Sequence, residues 1–228
     1  MPDQPVTPLV LAVDTTRESG SLALLRNAEI LEEVPLQEPT GFAHAIYGHL
    51  ERLLERQGVE LKAVDCFAAA AGPGSFTGVR VGLACIKGLA EALGKPALAI
   101  SNLQALATFG TAPLRAAVLD ARRGEVYGAV YDDQARLVSP EVVMELAAWL
   151  ATMPATGVEF VCTDFESFRP ALAGTRFESA PVVSAPCALA GAVARLAAAR
   201  FLRGEAMDPA ALDANYVRRS DAELCWRE

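Results

Sequence analysis

The sequence predicts an α/β protein built from two tandem copies of one strand-hairpin-helix unit, and three observations lead there. Val10-Leu11-Ala12-Val13-Asp14 and Ala116-Ala117-Val118-Leu119-Asp120 are apolar strands that each end in an aspartate, and superposing Asp14 on Asp120 aligns the hairpins that follow without a gap. Strands then alternate with helix-period segments in both halves. The chain has 228 residues and is 52% hydrophobic, enough to bury the core of one large domain or of two lobes.

In the first copy, Thr15-Thr16-Arg17-Glu18-Ser19-Gly20 turns the opening strand into a second strand over residues 21–25. A helix is predicted over about 43–57, with Ile46, Leu50, Leu53 and Leu54 on one stripe. Residues 66–71 are six apolar residues bounded by turn signals and read as a buried strand. The stretch Gly72-Pro73-Gly74-Ser75-Phe76-Thr77-Gly78-Val79-Arg80-Val81-Gly82 must then turn sharply. From Gly78 the pattern is helical to about Leu93, where Gly94-Lys95-Pro96 supplies a terminating glycine and a following proline. In the second copy, Ala121-Arg122-Arg123-Gly124 leads into a strand over 125–131. A helix at 141–150, a strand at 158–162 and an alanine-rich helix over about 188–203 follow. The expected division is 1–104 and 105–228, the last helix being able to pack back on the first lobe.

The glycine-rich turn admits two readings. A turn from strand to helix exposes amide donors at a positive helix end, which suits a phosphate; it also serves simple turning and tight helix packing. Its spacing matches neither the dinucleotide fingerprint nor the P-loop, and no Lys-Ser/Thr pair follows the last glycine. In the helix beyond it, Arg80, Lys87 and Glu91 form one narrow polar stripe, and the remaining circumference is apolar. A helix of this kind is buried on more than one side, either as the central helix of a large domain or against a second body. The second alternative marks Ile46, Leu50 and Leu53 of the first helix, with Val79, Val81, Gly82, Cys85, Ile86 and Leu89 of the second, as a partner interface.

Composition excludes several classes. A net charge of −8 and a pI near 4.9 argue against a free-standing nucleic-acid binder. Cys66, Cys85, Cys162, Cys187 and Cys225 are odd in number and lack C-x-x-C spacing, so they read as reduced thiols of a cytosolic protein. No apolar run reaches the ~18 residues of a membrane span, and Met1-Pro2-Asp3-Gln4 lacks the basic start of a signal peptide. The two histidines, His44 and His49, point about 140° apart on a helix and make poor joint ligands.

Two α/β lobes that each open with strand, aspartate and hairpin resemble the actin, sugar-kinase and Hsp70 (ASKHA) superfamily. The words "LAVDTT" with "GSLAL", "GPGSFTGVRVGLACIKGLAEALGKPALAISNLQALA", "DARRGEVYGAVYD" and the late "NYVRR" are similar to the bacterial TsaB (YeaZ) family. The superfamily resemblance implies a vestigial nucleotide site at Asp14, Thr15, Thr16, Gly72 and Gly74. The second-lobe turn departs from the usual Asp-x-Gly-x-Thr, and Arg122, Arg123 and Glu125 there can serve ion pairs, phosphate or RNA contacts, or solvent. The family resemblance further implies a non-catalytic paralogue of TsaD, which transfers a threonylcarbamoyl group to the adenosine beside the anticodon in tRNAs reading codons that begin with A. Implied partners are TsaD, the ATPase TsaE, a second copy in isolation, and tRNA only through the complex; no cofactor is bound tightly, and ATP or ADP enters only in the complex. In TsaD the segment Val-Asn-His-Leu-Glu-x-His holds a catalytic metal. Here the run is Ile100-Ser101-Asn102-Leu103-Gln104-Ala105-Leu106, so Asn102 and Leu106 stand at the ligand positions and no metal is expected. Ser101 and Gln104 instead have the spacing of a capping box. The competing expectations are an ATPase or kinase of the same superfamily, against which the altered turn weighs, and a metal-dependent peptidase, against which the missing ligands weigh.

Overall fold

Side-chain alternation builds the first sheet. In the computed structural model, which describes residues 7–38, 41–154 and 156–218, β1 (Leu9–Asp14) pairs antiparallel with β2 (Ser19–Arg26), and β2 with β3 (Glu29–Gln37). On its other side β1 runs parallel to β4 (Cys66–Ala70), and β4 to β5 (Ala97–Ile100), giving the order β3-β2-β1-β4-β5. Leu9, Leu11, Val13, Leu22, Leu24 and Phe67 point to one face, where α1 (Ile46–Arg56) and α2 (Phe76–Leu93) cover them. The intervening residues, among them Ala12, Ala23, Ala68 and Ala70, are equally buried, and α6 (Ala190–Leu202) packs on β1, β2 and β4. Small side chains on both the sheet and the alanine-rich helix allow that close approach.

The ends of these helices are capped by identifiable groups. Ser75 precedes α2 and its Oγ accepts from Gly78 N at 3.4 Å; Gly94 closes the helix in the left-handed region at φ 62°, donating to Ala90 O. At the start of α6, Ser21 Oγ accepts from the amides of Leu189 and Ala190, and Glu33 Oε1 accepts from Gly191 N at 2.8 Å. The C-terminal helix is therefore anchored in the first sheet. Accordingly, one compact unit comprises the described residues up to Asn102 together with Ala188–Asn215. The other comprises Leu103–Cys187 with the described residues from Tyr216.

The second unit repeats the first. Its strands β6 (Leu114–Arg122), β7 (Glu125–Asp132), β8 (Leu137–Glu145), β9 (Val158–Cys162) and β10 (Val182–Ser184) follow the order β10-β9-β6-β7-β8, the same sequence of pairings with β6 in the place of β1. Helices α3 (Asn102–Ala107), α4 (Leu146–Thr152) and α5 (Arg169–Leu172) complete it. Trp149 of α4, Phe160 and Phe177 fill its core, with Phe177 edge-on to Phe160 at 5.7 Å. Gly128 lies beneath the indole.

Several elements differ from expectation. The helix predicted at 141–150 is strand as far as Glu145 and helix only from Leu146, because the run through Val142-Val143 pairs with β7 as an edge strand. The strand β3 is absent from the sequence reading, since Glu29, Glu32 and Glu33 interrupt its apolar pattern on a half-buried edge. Cys66, Cys85 and Cys162 are buried, which pushes their thiols up to about 12, about 11 and about 11; Cys187 is exposed. Cys225, Arg219 and Met1 to Gln4 lie outside the described residues. Among the described residues no helix is long and apolar enough to cross a membrane.

Candidate functional site

The strongest sequence motifs of the first unit meet at one place. Asp14, Thr15 and Thr16 leave the end of β1 fully buried, and the turn that follows β4 packs directly on them. A Cβ built on Gly74 would lie 2.6 Å from Thr16 O, one on Gly82 would lie 2.7 Å from Thr15 Oγ1, and one on Gly78 would run into Thr15 O. Only glycine allows this contact. Hydrogen bonds then consume the polar groups: Ser75 N donates to Thr16 O at 2.7 Å, and Thr15 Oγ1 donates to Gly78 O at 2.7 Å. Thr16 donates its amide and hydroxyl to Asp14 Oδ1, at 2.9 and 2.6 Å.

Asn102 joins the two loops. Its side-chain oxygen accepts from Gly72 N at 2.9 Å, its amide nitrogen donates to Thr16 Oγ1 at 2.7 Å, and its main-chain N donates to Gly72 O at 2.9 Å. It is fully buried. The amides of Gly72, Ser75 and Gly78 are thus engaged within the chain, and the site's one orphaned side-chain oxygen among the described residues is Asp14 Oδ2, 4.0 Å from Arg17 Nη2. The glycines of the turn allow backbone turning and tight packing against Thr15 and Thr16.

In the second unit the equivalent loop is open to solvent. Asp120 is exposed and its Oδ1 accepts from Arg122 N at 2.7 Å; Arg122, Arg123 and Gly124 all have positive φ. Two consecutive arginines in the left-handed region carry backbone strain that asparagine or glycine would relieve. Glu125 is ion-paired with Arg218, whose Nη1 also donates to Ala121 O at 3.0 Å. Arg218 was visible in the "NYVRR" word, but nothing in the sequence connects it with Glu125.

The family model described as TsaD, tRNA N6-adenosine threonylcarbamoyltransferase, matches residues 34–178, more than half of the chain. The structure of YeaZ from Pseudomonas aeruginosa superposes with a TM-score of 0.75 at 31% identity, covering 92% of this chain and 99% of that one. The chain belongs to the TsaB (YeaZ) family. The tRNA threonylcarbamoyladenosine biosynthesis protein TsaB of Haemophilus influenzae is 39% identical over 52% of this chain and 51% of its own length. TsaB of Escherichia coli is 32% identical over 60% and 64%. The chain thus spans about half to just under two thirds of the curated relatives it matches.

In this TsaB-family chain with its duplicated fold, Asn102 and Leu106 both belong to α3. The first is committed to the loops just described, and the second is fully buried. Gln104 turns its amide to Ala135 O at 3.0 Å. His44 precedes α1 on an exposed turn, and His49 pairs with Glu38 at 2.7 Å. Among the described residues no three His, Cys, Asp or Glu side chains cluster to hold a metal.

The residues expected at a partner interface lie mostly inside their own unit. Ile46, Leu50, Leu53, Val79, Cys85 and Ile86 lie in the core of their own unit, and Gly82 lies beneath Thr15. The apolar excess of α2 is absorbed by the sheet on one side and by the segment Pro209–Ala211 on another, which returns with the C-terminal part of the chain. Only Val81 and Leu89 of the expected set are part-exposed. The outward surface of the two helices is instead Tyr47, Phe76, Arg80, Ala84 and Gly88, with Tyr47 53% exposed and the Arg80 guanidinium stacked 3.6 Å from the Phe76 ring centroid.

Proposed function

We propose that this chain is a non-catalytic structural and regulatory subunit in the cytoplasmic threonylcarbamoylation of the adenosine adjacent to the anticodon in tRNAs reading codons that begin with A. It works with a TsaD-like catalytic paralogue and a TsaE-like ATPase, forms a homodimer in isolation, and meets tRNA only through the complex. The observation that carries this reading is Asn102: at the position of a metal-binding histidine in the paralogue stands a buried amide that ties Thr16 to Gly72. The closed Asp14–Gly74 region supports the further expectation that no nucleotide is held tightly by this subunit alone. Arg122 and Arg123, exposed and strained, are assigned to contacts within the complex.

The outward face of α1 and α2 is the proposed docking surface. Ala84 is exposed, so Ala84→Arg leaves the unit's core intact and obstructs a closely packed helix; an unpaired charge buried there costs several kcal/mol of association, about two or more decades in affinity. Gly82→Glu is no test of docking, because its side chain would collide with Thr15. The deciding assay is reconstitution with the paralogue, the ATPase, threonylcarbamoyl adenylate as donor, ATP and tRNA. Modification is expected only when this chain is added, with no transfer and negligible ATP turnover by the chain alone. Magnesium-dependent ATP hydrolysis by the purified chain, at the ~1 to 10³ per second usual for enzymes, refutes the proposal.

A further inference from the structure

Between the second half of α1, the loop after it and α2 lies an apolar groove of about 580 Å³. Leu50, Leu54, Val59, Leu61 and Leu89 form its floor, and Glu51, Glu55 and Glu60 stand along it. The charges of that rim are unequally answered. Glu60 pairs with Lys62 at 2.6 Å, while Arg56, a cation of the same helix, is bound to Glu32 at 2.8 Å. Glu51 and Glu55 are exposed and meet no cation at ion-pair distance among the described residues; Arg52 between them reaches over Gly48, so the rim is acidic on balance. They stand one helical turn apart, an arrangement that destabilises the helix carrying it.

We infer that this groove takes a helix face of a different chain, apolar along its centre and flanked by lysine or arginine, and that Glu51 and Glu55 select it against a second copy. The inference rests on the outward face of α1 and α2 being the docking surface. A twofold pair presents the same patch from both sides, so an acidic rim meets an acidic rim and the apolar gain is opposed by repulsion. A basic-flanked partner receives the same apolar contact with the charges matched. Electrostatic matching of this kind chooses partners more than it adds affinity.

The test compares the parent with Glu51→Gln/Glu55→Gln and with Ala84→Arg, using sedimentation for self-association and titration calorimetry for the TsaD-like paralogue of the same genome. Measurements are made at about 50 and about 500 mM salt, since the screening length falls to a few ångströms at high ionic strength. The double variant is expected to self-associate about three- to tenfold more tightly and to bind the paralogue more weakly by a similar factor. In the parent, added salt tightens self-association and loosens the paralogue complex. If Ala84→Arg abolishes both associations while the glutamine variant changes neither, or moves both in one direction, the charge selection is overturned and the docking face stands. If Ala84→Arg, folded by circular dichroism, alters neither association, the docking face itself is wrong and this inference falls with it.

Discussion

Replacing Asn102 by alanine removes two buried hydrogen bonds at once, and the cost follows from what each partner has left. Gly72 N–H loses its acceptor at 2.9 Å in a buried site. Thr16 Oγ1 loses its donor at 2.7 Å but still donates to Asp14 Oδ1 at 2.6 Å, so its loss is the smaller. The main-chain bond from Asn102 N to Gly72 O survives. An orphaned buried polar group costs about 1–3 kcal/mol, and with the void left by the amide the total is about 2–4 kcal/mol. For a chain of 228 residues that corresponds to a fall in melting temperature of about 5–15 °C. Two units need not melt together, so a site-resolved measurement is the sharper one. Hydrogen exchange in the peptides spanning 14–17 and 72–80 is expected to accelerate, while the peptides of 158–162 keep the parent's protection. Melting within about 1 °C of the parent, with unchanged exchange at 72–80, refutes the claim that Asn102 joins the two loops.

Two further outcomes are expected in the second unit. Gly128→Ala would place a Cβ 2.5 Å from Trp149 Cε2, forcing the indole from its packed position; the expected destabilisation is about 1–3 kcal/mol, read by denaturant titration, and equal stability would show that β7 and α4 separate freely. Glu159 is buried; burial pushes its carboxyl up, but the amides of Thr111 and Ala112, the Thr111 hydroxyl and nearby Arg115 outweigh this and hold it below the ordinary 4.5. The folded state therefore binds fewer protons than the unfolded one, and the stabilisation is present above pH 4.5 and lost as pH falls through the lower folded value. Melting curves of Glu159→Gln are expected to show a flatter acid limb than the parent, and parallel limbs would exclude the linkage.

Elements whose pattern is decided locally were legible in the chain. The strand 158–162 and the stop of α2 at Gly94 follow from an unbroken apolar run and from a left-handed cap, neither of which depends on distant partners. The edge strands β3 and β8 were not, because a half-exposed strand carries glutamates on its outer positions and its pairing is set by the neighbouring strand. The same limit applies to the outward surface of α1 and α2. Sequence periodicity identifies an apolar helix, but only the returning segment Pro209–Ala211 determines which of its sides is already covered. Long-range ties such as Ser21 to the start of α6, or Arg218 to Glu125, leave no local signal at all.

The motif that most suggests a ligand has a sufficient cause inside the fold. Gly74, Gly78 and Gly82 look like a cradle for phosphate when read along the chain, yet each faces the backbone or hydroxyl of Thr15 or Thr16. Asp14 likewise looks like a metal or phosphate contact, but its Oδ1 fixes the Thr16 turn through two hydrogen bonds. The contact is mutual: without the turn at Thr15-Thr16 the glycines have no surface to approach, and without the glycines α2 cannot come down on β1. This aspartate, these threonines and these glycines are therefore required for packing alone. Asn102 completes that packing, where an amide able to donate and accept at once binds both loops, a task that an aspartate, which only accepts, would leave half done.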